Sequence, residues 1–438
     1  MRMLKATLSL VRRYPTVVGS AIIILALVCI SLYAIVRIPL SEAITLWAAK
    51  GDLWQDTPRC VPPAWTNLFR REKLPETIVI PLEDGQTVVQ QLGDSMWRAT
   101  TTLRFDYPFT TLPAEASFFS DVVAGAIHPQ LTLTWIKPDG SEIELYRGTP
   151  SGSRQLRIDR VIALDAAFGA TAGADEGGGE PDVLPGEYAV RVEAVTFDES
   201  SSVDGRLVVY GAVHGIAGTD DERRDLLIGL LWGTPIALLF GIVATLGTTL
   251  LGFVIAAFGS WFGGWIDAAI QRVTEVNMML PFLPIVMMIG AFFSSSLWVT
   301  LGVIIGLNIF TGAIKTYRAM FLQAKDSPYI EAARAYGASN LRIIFRYLIP
   351  RMIPALVPSF VLGIPQFVFL EASLAVLGVG DPVLPTWGKI LSDGRSGLYL
   401  GHTHWVLEPA VMLVITGLSF SMLGYALDRV FNPRLRGL

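Results

Sequence analysis

The sequence has 438 residues, of which 52% are hydrophobic and only 16% are charged, with a net charge of −4. A soluble domain of this length would carry about a quarter charged residues, and the charge is missing here from stretches long enough to cross a bilayer. The net negative charge offers no basic surface for nucleic acid, and two cysteines imply no disulfide framework. We therefore predict a membrane protein that binds no nucleic acid and is not held together by disulfides.

The first apolar segment follows a short basic N-terminus. Residues 1–15, which include Arg12 and Arg13, are predicted to be cytoplasmic, and residues 16–36 are predicted to form the first transmembrane span. The apolar run is longer than the core of about 7–15 residues found in signal peptides, and no small-residue cleavage site follows it. We therefore expect a retained anchor in the bilayer.

A large polar region, residues 37–217, follows the first span. Its alternating stretches TLTWIKPDGSEIELY (132–146), EYAVRVEAVTF (187–197) and RLVVYGAV (206–213) predict strands, the first interrupted by a Pro-Asp-Gly turn. The small-residue, acidic stretch at 169–182 is typical of a flexible linker. We expect a mostly antiparallel β domain, built as a sandwich.

The remaining chain, residues 218–438, is predicted to be a membrane core. No charged residue occurs in 226–266 or 276–314, and the cluster Ser294-Ser295-Ser296 divides the second of these stretches into two spans. Together with two later apolar segments, the predicted spans lie at about 227–258, 273–293, 297–316, 353–379 and 408–427.

Basic residues predict the orientation of these six spans. The N-terminus, the polar loop 317–352 and the C-terminal tail are all basic, and six spans place all three on one side. Because cytoplasmic loops carry an excess of Lys and Arg, that side is predicted to be the cytoplasm. The β domain is then extracytoplasmic.

Catalytic motifs are missing from the sequence. The pair Gly388-Lys389 lacks the upstream glycine and the following Ser or Thr of a phosphate-binding loop, and no Cys/His set has zinc-ligand spacing. The two long uncharged stretches also hold none of the ionisable groups that gradient-driven carriers place in their spans. We expect a chain that is not an enzyme, without its own ATPase site, bound cofactor or metal.

The polar loop 317–352 predicts two short helices. Ser327 suits the N-cap and Pro328 the first helical position, and Gly337 can adopt the left-handed conformation that ends a helix. A second helix is expected from Ser339, with Pro350 leading toward the next span. Small residues on the first helix would let another protein approach it closely.

This loop resembles the EAA loop of bacterial ABC-importer permeases, whose pattern is E-A-A, three residues, Gly, nine residues, then I-x-L-P. Glu331, Ala332, Ala333, Gly337 and Pro350 match that pattern at the required spacing. Tyr347 and Ile349 stand where the family often has Ile and Leu, respectively. These two departures affect only the packing of the second helix.

Other segments resemble the C-type subunits of the dipeptide/oligopeptide/nickel permease family. They are GTDDERRDLLIGLLWGTPIALLFG (218–241), WFGGWID (261–267), LEASLAVLGVGDPVLPTWGKILSDGR (370–395) and NPRLRG (432–437). The resemblance covers the first span and about 218–438, whereas most of 39–215 has no counterpart in the family. It implies a type I ABC importer permease fold, an α-helical polytopic membrane protein, carrying the inserted β domain.

The resemblance also implies a mechanism and partners. Two cytoplasmic ABC ATPase subunits, which bind the ATP and magnesium, would dock on the first helix of the loop and move it as a lever. A second homologous permease would complete the translocation path, and an extracytoplasmic solute-binding protein would deliver peptides or a related solute. The residues implied in ATPase coupling are Tyr329, Glu331, Ala332, Ala333, Arg334, Ala335, Gly337, Ala338 and Pro350.

Several residues have two interpretations. Glu371 either lines the translocation path or forms an interfacial or subunit contact, and His402 and His404 invite a metal interpretation but lack companion ligands. Asp220, Asp221 and Asp225 are more typical of a solvated helix start than of a cation site. Four tryptophans are interpreted as membrane-interface anchors: Trp261, Trp265, Trp298 and Trp405.

A different class of function is also compatible with an outer β domain. A membrane sensor would bind a ligand outside and signal through its spans. Such a protein normally has a cytoplasmic output domain, whereas the longest predicted cytoplasmic segment is the loop 317–352. The importer interpretation is therefore preferred.

Overall fold

The computed structural model describes residues 15–48, 53–93, 96–123, 127–169, 183–197 and 201–431. The basic N-terminus, nearly all of the predicted linker at 169–182 and the NPRLRG tail lie outside the described residues. The described chain divides into two compact units. The helical unit consists of the described residues within 1–48, 228–399 and 406–438. The β-rich unit consists of the described residues within 49–227 and 400–405.

The β-rich unit contains two sheets in which every pairing between strands is antiparallel. One sheet has the order β1-β9-β4-β7 and the other β2-β3-β8-β5-β6. The strands are β1 Ile78–Pro81, β2 Gln86–Gly93, β3 Met96–Tyr107, β4 Glu115–Val123, β5 Gln130–Ile136, β6 Glu142–Gly148, β7 Gly152–Arg157, β8 Gly186–Thr196 and β9 Ser202–Tyr210.

Both sheets contribute to one core, as expected for a sandwich. Phe118 of β4 and Leu207 of β9 lie in the same buried cluster as Trp135 of β5 and Tyr188 of β8. Trp135 and Tyr188, whose ring centroids are 6.0 Å apart, are held by hydrogen bonds as well as by packing. The Trp135 indole donates to Ala167 O at 2.8 Å, and the Tyr188 hydroxyl donates to Phe168 O at 2.8 Å.

The Pro-Asp-Gly turn lies between β5 and β6. Gly140 has φ +82°, a conformation that L residues rarely adopt, and its N–H donates to Lys137 O. The Asp139 carboxylate accepts from Ser141 N at 2.8 Å, which fixes the turn. Local turn chemistry thus determines this hairpin.

The helical unit is built from eleven helices among its described residues. They are α1 Pro15–Arg37, α2 Leu40–Ala48, α3 Leu226–Phe262, α4 Gly264–Met279, α5 Phe282–Phe292, α6 Leu297–Ile309, α7 Gly312–Lys325, α8 Pro328–Ala335, α9 Asn340–Val379, α10 Trp387–Tyr399 and α11 His404–Phe431. The first two residues of α3 and of α11 belong to the β-rich unit.

Four described helices are long and apolar enough to cross a membrane: α1, α3, α9 and α11. Two further candidates are bent pairs, α4 with α5 at 77° and α6 with α7 at 48°. The predicted spans at 273–293 and 297–316 overlap these bent pairs, and the structure shows a break within each segment. Pro281 ends the first half of one pair, and the non-helical Phe310 and Thr311 divide the other.

Helix α9 also differs from the expected pattern. The sequence predicts a short helix from Ser339 and a separate span from residue 353, but a single helix runs from Asn340 to Val379. A π-helical turn at Ile344–Leu348 ends two residues before Pro350. A wider turn accommodates a residue that has no N–H to donate, so the helix continues where a proline would otherwise end it.

Two glycines let bulky side chains pack against α3. A Cβ on Gly233 would lie 2.2 Å from the Trp387 ring, and one on Gly229 would lie 2.7 Å from the Trp47 ring. The Trp387 indole donates to Leu230 O at 3.0 Å. Both glycines therefore allow a tryptophan ring to lie directly against the α3 backbone, and small residues commonly permit such close contacts between membrane helices.

Candidate functional site

Helix α8 begins as the sequence predicts, with one difference. Ser327 occupies the N-cap in an extended conformation and Pro328 lies in the first turn. The Ser327 side chain makes no capping hydrogen bond, and its carbonyl instead accepts from Ile330 N at 2.9 Å. The rigid φ of proline therefore contributes more to this start than the serine hydroxyl does.

Gly337 ends α8 in the left-handed conformation that the sequence predicts. Its φ is +77°, and Ala338 N donates to Ala333 O at 3.0 Å across the turn. This bond from the second residue past the C-cap Tyr336 to the third-last residue of the helix defines a Schellman stop. A Cβ on Gly337 would meet no atom within 4 Å, so the glycine is required by conformation and not by space.

The two faces of α8 have different roles. Ile330 and Ala333 are buried in a cluster with Phe321, Ile343 and Leu348. The residues on the opposite face are exposed, and they are Tyr329, Glu331, Ala332, Arg334 and Ala335. The structure thus assigns Ala333 to packing inside this chain, and among the small residues it is Ala332 and Ala335 that a partner could reach.

Tyr336 extends the exposed face and was missed by sequence reasoning. It is 90% exposed and directly follows the last residue of α8. Exposed aromatic side chains are among the residues that most often anchor a protein partner. The sequence signal for this exposure is its position directly before Gly337, because a residue at the end of a surface helix is accessible to solvent.

Trp261 anchors α8 to the end of α3. The Arg334 guanidinium lies over the Trp261 ring with its Cζ 4.5 Å from the ring centroid. Lys325 donates through Nζ to Ser260 O at 3.0 Å and to Trp261 O at 2.8 Å. A cation at these carbonyls also complements the negative C-terminal end of the α3 dipole.

The buried position of Trp261 corrects one expectation. Trp261 is 6% exposed and Trp405 is 1% exposed, so neither is a lipid-facing anchor, whereas Trp265 and Trp298 are exposed. Helical spacing cannot reveal this difference, because it depends on which side chains approach from elsewhere in the chain. Trp261 contacts Lys325 at the end of α7 and Arg334 of the α8 hairpin, a name used here for α8, the turn at Gly337 and the first turn of α9.

An ion pair holds α7 against α4. Arg318 donates to both carboxylate oxygens of Asp267, at 2.7 and 2.5 Å, and the Asp267 side chain is 16% exposed. A bidentate pair in a partly desolvated position is stronger than an ordinary surface salt bridge. Polar contacts thus connect α8 to α3 through Arg334 and α7 to α4 through Arg318, in addition to the apolar cluster that α7 and α8 share.

Pro350 lies in the continuous helix α9, not at its entry. It is exposed and follows the π-helical turn described above. Ala338 is half-buried and forms the Schellman bond. Neither residue belongs to α8, and their part in ATPase coupling stays a prediction.

Glu371 is buried between α9 and α10. Its side chain is 4% exposed overall, and a Cβ on Gly388 would lie 3.2 Å from its Oε2. Its Oε1 has no hydrogen-bond partner among the described residues. Its role in the translocation path, or in an interfacial or subunit contact, stays a prediction.

Of the three aspartates before α3, Asp221 is exposed and Asp225 accepts from Leu227 N at 2.9 Å at the helix start, as expected, whereas Asp220 is not solvated. Asp220 is fully buried in the β-rich unit, and its carboxylate accepts from Arg224 Nε at 2.5 Å and from Arg224 N at 2.8 Å. Burial raises the pKa of Asp220 to about 6, against the opposing charge of Arg224.

The histidines form no metal site with the residues described. The rings of His402 and His404 are 6.3 Å apart, and His404 Nε2 lies 3.1 Å from Thr219 O. The described part of the chain contains no group of three or more His, Cys, Asp or Glu side chains arranged to hold a metal ion.

Comparison with protein families gives a match over residues 228–437 to the family described as the binding-protein-dependent transport system inner membrane component. The chain is 30% identical to the dipeptide transport system permease protein DppC of Bacillus subtilis over 220 residues, which are 50% of this chain and 68% of that protein. The matched range includes the α8 hairpin.

Two other relatives show a similar extent of likeness. The glutathione transport system permease protein GsiD of Pectobacterium atrosepticum is 29% identical over 50% of this chain and 72% of its own length. The peptidoglycan transport system permease protein YejE of Agrobacterium fabrum is 32% identical over 50% and 56%, respectively. Among solved structures, a chain of the inward-facing MetNI methionine ABC transporter aligns with 47% of this chain at 20% identity and a TM-score of 0.38.

Proposed function

The chain belongs to the family of inner-membrane components of binding-protein-dependent transport systems, and from this premise we propose that it forms half of the translocation path of an ATP-driven peptide importer. The observation that carries the proposal is the exposed face of α8, presented by a helix whose opposite face is buried in the same chain. A helix with that division can receive force on one face and transmit it through the other.

The exposed face of α8 is the proposed docking surface for an ATPase subunit. Glu331 and Arg334 offer charges of both signs, Ala332 permits close approach, and Tyr336 provides an aromatic anchor. Tyr329 and Ala335 complete the face. ATP and magnesium would be bound by two ATPase subunits, and this chain contributes the surface on which they act.

Force on α8 would reach the membrane helices through three connections. The buried Ile330 and Ala333 pack against α7 and α9, Arg334 and Lys325 contact Trp261 at the end of α3, and Arg318 pairs with Asp267 of α4. Because these contacts are packed and bonded, α8 would move with the ends of those helices as a rigid body. Closure of the ATPase pair would then change access to the path.

The proposed topology has six spans, counting each bent pair once. The N-terminus, the α8 hairpin and the C-terminal tail would lie in the cytoplasm, which the basic residues of all three segments support. The β-rich unit, inserted between α2 and α3, would then be extracytoplasmic in a bacterial inner membrane.

A second homologous permease and a solute-binding protein are the remaining proposed partners. Peptides are the proposed cargo because the relatives include dipeptide and glutathione transport permeases. A receptor that only senses a ligand is not favoured, since the family match spans the helical unit from α3 onward and includes the hairpin.

Sided labelling tests this proposal. In a chain with Cys29 and Cys60 replaced by serine, a cysteine at Tyr336 should react with a membrane-impermeant maleimide in inverted vesicles but not in intact spheroplasts. A cysteine at the exposed Ser141, in the β5–β6 turn, should show the opposite pattern and serves as the matched control. Labelling of position 336 from outside would contradict the proposal, because no cytoplasmic ATPase could reach it.

A further inference from the structure

A polar cleft of about 330 Å³ opens among the membrane helices of the helical unit. Its walls come from α3, from the break between α6 and α7, and from α9. The hydrogen-bonding side chains that matter here are Thr248, Asn308, Thr311, Thr316, Ser359 and Gln366. None of the lining residues is Asp, Glu, Lys, Arg or His, so the cleft is polar without charge.

The cleft coincides with a break in a membrane helix. Helix α6 ends at Ile309, and its last carbonyls are satisfied by another broken segment, since Asn277 Nδ2 donates to Leu307 O and Phe310 O at 2.8 Å each. Asn308 and Thr311 flank this break and line both the cleft and a smaller cavity beside α5. Broken helices that line a cavity are where membrane transporters hold their solutes.

The opposite wall is formed where α3 and α9 approach closely. A Cβ on Gly363 would lie 2.7 Å from Thr245 Cγ2, so a glycine is needed at this crossing. Ser359 and Gln366 lie seven residues apart on the same face of α9, on either side of Gly363, and both are exposed. A carboxamide exposed at membrane depth is costly unless it faces water or a polar solute.

We infer that this cleft is a substrate subsite that recognises the uncharged amide backbone of an extended peptide through Asn308, Thr311 and Gln366. The inference rests on the proposed importer function and specifies its substrate class. Carboxamides and hydroxyls both donate and accept hydrogen bonds, as peptide N–H and C=O groups require. A divalent cation would instead require carboxylate, imidazole or thiolate ligands, which the cleft wall does not offer.

Neutral walls also have a consequence for selectivity. A subsite that bonds the peptide backbone and carries no charge should accept acidic, neutral and basic side chains alike. One charge introduced into the wall should make uptake depend on the charge of the peptide side chain, because a charge in a desolvated path attracts or repels a charged side chain strongly. A purely structural role for Gln366 would produce no such discrimination.

The test uses the intact complex with its second permease, ATPase subunits and binding protein in proteoliposomes, and the probes Ala-Ala-Ala, Ala-Glu-Ala, Ala-Lys-Ala and Ni²⁺. Gln366→Leu and Asn308→Leu should each lower uptake of all three peptides about five- to tenfold, as expected for one lost hydrogen bond in a buried site. The isosteric Gln366→Glu should depress uptake of Ala-Glu-Ala well below that of Ala-Lys-Ala.

The control is Thr416→Val in α11, which removes a buried hydroxyl that bonds Met412 O at 2.8 Å and does not line the cleft. It should leave uptake unchanged. If Gln366→Glu shifts no relative uptake, or if the leucine variants behave like the control, the cleft is not a substrate subsite and the inference is wrong. Wild-type complex that imports Ni²⁺ and none of the peptides would refute the proposed cargo, and the inference with it.

Discussion

The guanidinium of Arg334 and the ring of Trp261 are stacked 4.5 Å apart, and this pair joins the helix that faces a partner to the end of a membrane helix. Trp261 is buried, whereas Arg334 remains exposed on its outer side. A movement of α8 that preserved this contact would also displace the end of α3.

If the pair transmits movement, then Trp261→Leu and Arg334→Leu should each reduce the number of peptides imported per ATP hydrolysed. The double variant should be little worse than either single variant, because both remove one cation–π contact worth about 0.5–2 kcal/mol. The measurement is uptake and ATPase rate in the same proteoliposomes. Trp265→Leu, four residues further on and 80% exposed, should leave the ratio unchanged; additive losses in the double variant would argue against a shared contact.

Gly337 provides a second test, based on backbone conformation. Gly337→Val should impair uptake while ATP hydrolysis and membrane insertion continue, because a β-branched residue at φ +77° costs at least about 1–2 kcal/mol. Gly337→Asn should retain most of the uptake, since asparagine tolerates the left-handed conformation. Equal uptake by the valine and asparagine variants would show that the turn geometry does not matter for coupling.

Local chemistry made this hairpin predictable from the sequence. Pro328 and Gly337 determine the ends of α8 through their own backbone preferences, whatever surrounds them. The β5–β6 turn was predictable for the same reason, because Pro138, Asp139 and Gly140 specify it within one turn.

Features that depend on distant residues could not be obtained this way. The local rule for proline predicts a helix end near Pro350, but a π-helical turn absorbs the missing donor and α9 continues. The burial of Trp261 requires Lys325 and Arg334 to arrive from another helix. The neutral cleft has no ionisable residue to mark it in the sequence, although Ser359 and Gln366, seven residues apart in an apolar helix, indicate a polar face.

Charge on the exposed face of α8 should govern ATPase binding. Glu331→Lys should weaken co-purification of the ATPase subunits about tenfold, or ~1.4 kcal/mol, because it reverses a charge at the proposed contact. The yield of the chain itself should not change, since Glu331 is exposed. Glu72→Lys, the same reversal at an exposed position in the β-rich unit, is the matched control. Unchanged ATPase recovery with Glu331→Lys would rule out a contact at this residue.

The position of Glu371 distinguishes packing from a role in the path. Glu371→Gln should leave both folding yield and the relative uptake of Ala-Glu-Ala and Ala-Lys-Ala unchanged, because the side chain lies against Gly388 and away from the polar cleft. Glu371→Lys should destabilise the helical unit by about 3 kcal/mol or more, since it buries a longer side chain and a charge without a partner. A change in the relative uptake of the two peptides by Glu371→Gln would instead show that this carboxylate lines the translocation path.

The buried pair of Asp220 and Arg224 should stabilise the β-rich unit far more than an exposed pair does. Asp220→Ala should lower its free energy of unfolding by about 3–5 kcal/mol, because the buried guanidinium loses its carboxylate. Glu187→Ala, which breaks the 3.3 Å pair with Arg104 at side chains that are both 59% exposed, should cost no more than about 1 kcal/mol. Protease susceptibility of residues 53–227 in the detergent-solubilised full chain, measured against denaturant, compares the two variants. Equal losses would mean that burial adds nothing to the Asp220 pair and that the segment before α3 is held to the β-rich unit by its backbone hydrogen bonds alone.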